Sequence, residues 1–155
     1  QAANKKPLAP NIRPLAEAKG YRSDEEFLVQ VAGLMKERVT FLPDFVEQGY
    51  YLFEPVRTYD NEMIGKKWNP ALQPHFEALI EQVGAIPAFE ASVLEAAVKE
   101  FMHERSLKPG DVLSLLRLAL AGTMKGPAVF DMAAVLGKTE TVRRLQTALA
   151  YFLGA

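Results

Sequence analysis

Leu115-Leu116-Arg117-Leu118-Ala119-Leu120-Ala121-Gly122-Thr123-Met124-Lys125-Gly126-Pro127 runs on to Leu136-Gly137-Lys138-Thr139 and Arg143-Arg144-Leu145. It reads as three short helices joined by two glycine-marked turns. Leu113, Leu116 and Leu120 fall on one helical stripe, and Gly122 closes that helix where a left-handed residue costs little. Pro127 opens the next helix, which carries Val129, Phe130, Met132, Ala133 and Leu136 and stops at Gly137. Thr139 caps the last, with Val142, Leu145, Leu149 and Phe152 on its buried face. Basic residues sit beside the turns, and no catalytic group lies among them. The pattern suits a surface that holds something rather than a pocket that transforms it.

The same helical period extends toward the start of the chain. Asn11 to Gly20 reads as a short helix closed by Gly20. Ser23-Asp24-Glu25-Glu26 has the form of a capping box, in which the Ser23 hydroxyl and the Glu26 carboxylate satisfy free amides. Phe27, Leu28, Val31, Leu34 and Met35 follow on one stripe, with Arg38 a turn beyond Leu34. Thr40 offers another cap, Pro43 suits a first turn, and a helix is predicted from about Leu42 to Gln48. Tyr50, Tyr51 and Phe53 then form an aromatic knot cut off by Pro55. A core for a small lobe is the favoured reading, and a platform for stacking bases is the sharper one. Tyr59 to Lys67 is polar and reads as irregular, with one helical turn at most. Asn69-Pro70 is a cap and a first-turn proline before a helix marked by Leu72, Phe76, Leu79, Ile80 and Val83. Gly84-Ala85-Ile86-Pro87 breaks two helical patterns and is the best internal boundary. Val93, Leu94, Ala97, Val98 and Phe101 mark a long amphipathic helix beyond it, and Lys108-Pro109-Gly110-Asp111 makes a turn. No segment shows sustained strand alternation. The fold class is all-α, with two small helical lobes, 1–84 and 85–155.

Composition removes several classes of function. The 155 residues include no cysteine, so thiolate catalysis, disulfides and cysteine-ligated zinc are excluded. Lys and Arg total 18 against 19 Asp and Glu, a net charge of -1. A whole-domain basic footprint is missing, so contact with phosphates relies on local clusters of Lys and Arg. No apolar run approaches the roughly 20 residues that span a bilayer. Gln1 to Pro10 lacks a hydrophobic core segment and is no signal peptide. Without an initiator Met, that opening reads as a cut inside a longer chain.

No catalytic constellation emerges. His75 and His103 are the only histidines and lie in different predicted helices, outside any metal-binding spacing. Gly137-Lys138-Thr139 imitates the end of a phosphate-binding loop but lacks its upstream glycine. A helix-ending glycine followed by a capping threonine explains the same residues. The serines have no nucleophile-elbow context. Glu25-Glu26 is a pair of helix-start charges that complements the dipole. Arg117 either favours the carboxyl end of its helix or reaches across the Gly122–Pro127 turn toward a phosphate or base edge. Arg143 and Arg144 read as a solvated helix face.

On these residues the chain resembles the C-terminal anticodon-binding region of bacterial-type glutamyl-tRNA synthetases, class I aminoacyl-tRNA synthetases that attach glutamate to tRNA. The strongest match is Arg117-Leu118-Ala119-Leu120-Ala121-Gly122, then Gly126-Pro127, Leu136-Gly137-Lys138 and Arg143-Arg144-Leu145. A second is Met35-Lys36-Glu37-Arg38-Val39-Thr40 followed by Tyr50-Tyr51-Leu52-Phe53. The resemblance covers nearly the whole chain in order. It implies two helical anticodon-binding subdomains, 1–84 and 85–155, the second of the α-helix cage type. The two ATP-site signatures of the family's catalytic domain are not in this sequence.

The resemblance further implies which residues meet the anticodon. Arg38 matches the arginine that reads the third base, and Arg117 matches one near the first. Gly126, Pro127 and Val129 match the turn around the middle base. With glycine at 126, contact there uses the backbone, and Val129 is smaller than the leucine sometimes found at its place. The function implied is tRNA anticodon recognition for a glutamate–tRNA ligase, with no catalytic residue, metal or cofactor in this chain. ATP and Mg belong to the missing catalytic domain. The implied partners are the tRNA anticodon loop and the catalytic domain of the same chain, with no membrane and no DNA. The implied setting is a cytoplasmic monomer. The alternative is a helical protein–protein interaction module using Tyr50 to Phe53 and apolar helix faces.

Overall fold

The structure is a computed structural model that describes residues 9–35 and 49–154. Every regular element among them is helical. The predicted helix from Leu42 to Gln48, its cap Thr40 and Pro43, and the candidate site residue Arg38 lie outside the described residues. Two compact bodies divide the chain, Gln1–Pro55 and Val56–Ala155.

In the first body, α1 (Ala9–Ala18) packs against α2 (Glu25–Met35). Helix α1 begins two residues before the predicted Asn11. It ends through Gly20, whose φ is +71° and whose N–H donates to the Glu17 carbonyl, 3.1 Å away. The start of α2 is capped by Asp24 rather than by Ser23. The Phe27 N–H donates to Asp24 Oδ2 at 3.2 Å, leaving no need for the serine hydroxyl. Arg22 Nε donates to the other Asp24 oxygen at 2.6 Å. That bond holds the Asp24 carboxyl below its ordinary value against the opposing effect of desolvation. Phe27, Leu28, Val31 and Met35 form the buried stripe that the period requires, facing Ile12 and Ala16 of α1.

The aromatic knot serves the core of this body. Tyr50–Leu52 is a single 3-10 turn with Tyr51 and Leu52 buried. Phe53 stacks on Tyr21 with centroids 4.9 Å apart and meets Phe27 edge-on at 5.4 Å. The Tyr21 hydroxyl donates to the Glu54 carboxylate. Rings arranged in this way contribute beyond their buried area.

The second body holds six helices among the described residues: α3 (Asn61–Lys67), α4 (Gln73–Gly84), α5 (Ala91–Glu104), α6 (Pro109–Ala121), α7 (Val129–Leu136) and α8 (Lys138–Gly154). The segment read as irregular is the two-turn helix α3. Asp60 caps it, accepting from the Met63 N–H at 3.1 Å, and Ile64 is its one buried residue. A 3-10 turn, Pro70–Leu72, leads into α4, with Asn69 Oδ1 accepting from the Ala71 N–H at 2.8 Å. Phe76, Leu79, Ile80 and Val83 are buried as predicted.

Helix α8 is the hub. It packs against α4, α6 and α7, while α5 packs against α7 and α3 against α6. Phe152, 1% exposed, lies 5.3 Å from the Trp68 ring and 5.8 Å from the Phe76 ring. Because α4 closes on α8, the Gly84–Pro87 turn is a corner inside this body, with Ile86 buried in it. The division between compact bodies therefore falls at Pro55 and Val56, earlier than the 84/85 position put forward from the sequence.

Candidate nucleic-acid interface

The site begins where α6 stops. Leu115, Leu116, Leu118, Ala119, Leu120 and Ala121 are all buried, so the last turns of this helix are fixed on most of their circumference. Gly122 ends it with φ +77°, its N–H donating to the Leu118 carbonyl at 2.7 Å. Only glycine fits here, for two reasons. The left-handed backbone disfavours a side chain. A Cβ would also lie 2.2 Å from the Thr58 carbonyl oxygen and 2.6 Å from Val56 Cγ1. The close approach lets the Gly122 carbonyl accept from the Asp60 N–H at 2.9 Å, so the turn is tied to the segment that caps α3.

From Gly122 the chain runs six residues before α7. The Thr123 hydroxyl accepts from the Lys125 N–H at 3.2 Å, folding the tip back on itself. Lys125 and Ala128 are exposed, and Thr123, Met124 and Gly126 are half-buried. Gly126 has φ +136°, a backbone conformation open essentially to glycine alone. Arg117, half-buried one turn before the end of α6, reaches across and closes the turn. Its Nη1 donates to the Gly126 carbonyl at 3.2 Å and to the Pro127 carbonyl at 2.6 Å. Of the two readings open for Arg117, its guanidinium thus reaches across the turn, and what it meets there is backbone.

Pro127 is buried in the turn and α7 begins two residues later, at Val129, with Ala128 as its cap. Val129 is 7% exposed and lies among Leu116, Leu120, Val83 and Leu145 in the core beneath the turn. Arg117 is therefore brought to hydrogen-bonding distance of both Gly126 and Pro127. Val129 supports them from below, and Arg38 lies outside the described residues.

The second glycine junction is tighter. Gly137, with φ +87°, separates α7 from α8, and α8 starts at Lys138. Thr139 lies inside the first turn of α8 and is exposed. The threonine that ties this junction is Thr141, whose hydroxyl donates to the Ala133 carbonyl at 3.2 Å in the buried interior.

Arg143 and Arg144 do not form one solvated face. Arg143 is exposed and pairs with Glu140, whereas Arg144 is 5% exposed. Arg144 Nε donates to Glu140 Oε2 at 2.7 Å, and its Nη1 donates to the Leu120 carbonyl at 2.7 Å. A buried guanidinium thus satisfies a carbonyl in the last turn of α6, where the helix dipole favours a cation. Burial opposes ionisation of Glu140, but the bonds from Arg144 and Arg143 outweigh it and hold the carboxyl below its usual range. The sequence carried a signal for Arg144. It lies in the row Thr141, Arg144 or Leu145, Ala148, Phe152, which is the buried stripe of α8.

The turn offers hydrogen-bonding backbone, one exposed lysine and two arginines behind it, and no nucleophile or acid–base pair. Among the described residues no cluster of His, Cys, Asp or Glu is disposed to hold a metal ion. His75 Nδ1 instead faces Arg105 Nη1 at 3.1 Å. No helix among the described residues is long and apolar enough to cross a membrane.

Comparisons with known proteins give this architecture a context. The chain is 32% identical over 149 residues to a glutamate–tRNA ligase of Christiangramia forsetii, covering 96% of this chain and 30% of that protein. It is 35% identical over 120 residues to the glutamate–tRNA ligase of Amoebophilus asiaticus, covering 77% of this chain and 23% of that one. The fold superposes with a TM-score of 0.85 and 28% identity on a glutamate tRNA ligase crystal structure from Elizabethkingia meningosepticum, over 96% of this chain and 29% of the other. This chain thus spans less than a third of the length of these proteins. Residues 7–149 match the family described as the anticodon binding domain, and the chain belongs to that family.

Proposed function

We propose that this chain reads the anticodon of glutamate tRNA on behalf of a glutamate–tRNA ligase. The observation that carries the reading is the likeness, over 96% of the chain, to the structure of a glutamate tRNA ligase. The braced turn from Gly122 to Pro127 supplies a physical means. An unstacked loop base is recognised by hydrogen bonds to its edges and by apolar contact with its face. The turn presents backbone beside Lys125 and Met124, over the buried Pro127 and Val129.

On this reading Arg38, Arg117, Gly126, Pro127 and Val129 belong to the anticodon-binding region, Arg38 within residues 1–55 and the others within 56–155. Arg38 reads the third base through its planar fork of donors, which matches the acceptor edge of cytosine. Arg117, Gly126, Pro127 and Val129 form the turn that receives the middle base and flanks the first. The chemistry of aminoacylation, with its ATP and Mg, belongs to a catalytic domain in the same protein, a cytoplasmic monomer.

Aminoacylation kinetics of the complete ligase carrying Arg38→Gln test the assignment. Discrimination at the third anticodon base should fall by about 1–3 kcal/mol, the value of a good bidentate contact to a base. Unchanged kinetics with the cognate tRNA and with a third-base variant would remove Arg38 from the site. A stable protein partner combined with no response to tRNA would favour an interaction module instead.

A further inference from the structure

We propose that Arg117 and Arg144 are positioning residues that hold the Leu120–Pro127 turn from two sides, so that recognition acts through fixed backbone rather than through their own charge. The proposal rests on the reading of this turn as an RNA-contacting element. Arg117 uses one nitrogen for two carbonyls, those of Gly126 and Pro127. Arg144 is buried, satisfies the Leu120 carbonyl and is neutralised by Glu140. A buried cation is costly unless it is paired and hydrogen-bonded, and this one is both. Between the two arginines the Asp60 N–H holds the Gly122 carbonyl. The segment from 120 to 127 is thus anchored at four carbonyls, with Thr123, Met124 and Lys125 left as its tip.

Such anchoring matters because Gly126 sits at φ +136°. A glycine there is free to adopt many other conformations. Each one abandoned on binding would reduce affinity, and a turn held before the RNA arrives avoids that loss. A guanidinium already committed to backbone carbonyls contributes little to counterion release, which follows from direct neutralisation of phosphates. The two roles therefore have different salt signatures. Loss of a phosphate-contacting cation lowers the salt slope by about one, whereas loss of a positioning residue weakens binding at an unchanged slope.

The test uses the 155-residue chain, its Arg117→Ala and Arg117→Lys variants, and Arg144→Met. Two quantities are measured: amide hydrogen exchange without RNA, and binding of a glutamate-tRNA anticodon stem-loop across a series of salt concentrations. In Arg117→Ala, exchange at Gly126 and Ala128 should accelerate and binding should weaken by about tenfold with the salt slope unchanged, as expected for loss of a charged hydrogen bond. Arg117→Lys, whose ammonium can donate to the same two carbonyls, should recover most of both. Arg144→Met should loosen the same amides from the other side; should it fail to fold, the Arg117 pair decides alone. Weaker binding with unchanged exchange and a slope reduced by about one would show Arg117 on the RNA itself and overturn the proposal. Faster exchange with undiminished binding would retain the brace and overturn its role in recognition. A wild-type chain that binds the stem-loop no better than a scrambled loop would instead overturn the functional reading, and the exchange data would still decide the brace.

Discussion

Gly122 shows how one residue can fix a site. Its place at a helix end follows from sequence, because glycine is the residue that ends a helix in the left-handed region. The second constraint is the Thr58 carbonyl oxygen, 2.2 Å from where an alanine methyl would sit. It comes from a segment distant in sequence and has no local signature. Gly122→Ala should therefore cost more than the roughly 1–2 kcal/mol of a left-handed alanine, read as a lower urea midpoint. Arg144 teaches the converse. Charge type suggested solvent, while its place in the helical stripe indicated burial, and the stripe prevailed because Glu140 and the Leu120 carbonyl satisfy the cation. That pairing gives a pH prediction. The folded-state pKa of Glu140 is below its ordinary 4.5, so its stabilisation is present above that value and is lost as pH falls through the depressed one. Thermal unfolding of Glu140→Gln should show less acid destabilisation than the parent chain. Equal acid limbs would contradict the assignment. At the start of α2, adjacent Ser23 and Asp24 both suit a cap, and only the geometry chooses Asp24.

Long helices were legible because burial on one face imposes a 3.6-residue period. The buried rows of α2, α4, α5 and α8 follow that period, with Val93 of α5 the predicted stripe residue that is exposed instead. Helix α3 was not, since seven residues with Ile64 alone buried give no period to detect. It is held by the Asp60 cap and by packing on α6, which are respectively local and tertiary. The turn between α6 and α7 was legible as a turn from Gly122, Gly126 and Pro127. Its bracing was not, because an arginine at position 117 has two sensible partners and sequence does not choose between them. Among the helices α8 carries the greatest load, and Phe152 is its most connected ring. Phe152→Ala should destabilise the chain by about 3–5 kcal/mol, measured by chemical unfolding, with the cavity left among Tyr59, Trp68 and Phe76. A loss below about 1 kcal/mol would mean that this cluster is not the core of the second body.

At the scale of the whole molecule, the all-helical class could be read from composition and period. The division into bodies could not, because the Gly84–Pro87 turn looks like a linker until the packing of α4 on α8 is known. Function was legible only through resemblance, since the residues themselves form no motif of reactive side chains. Its overall charge of -1 confines electrostatic attraction to local features such as Lys125. Binding of RNA should therefore be weak in the isolated chain, with a salt slope set by the few cations that meet phosphate. The most direct measurement is an amide NMR titration of the 155-residue chain with the glutamate-tRNA anticodon stem-loop and with the same stem carrying an altered middle base. Shifts should concentrate at Thr123 to Ala128, with an affinity for the cognate loop greater by about tenfold, the lower end of what one wrong base costs. Equal shifts and equal affinity for the two loops would contradict that expectation.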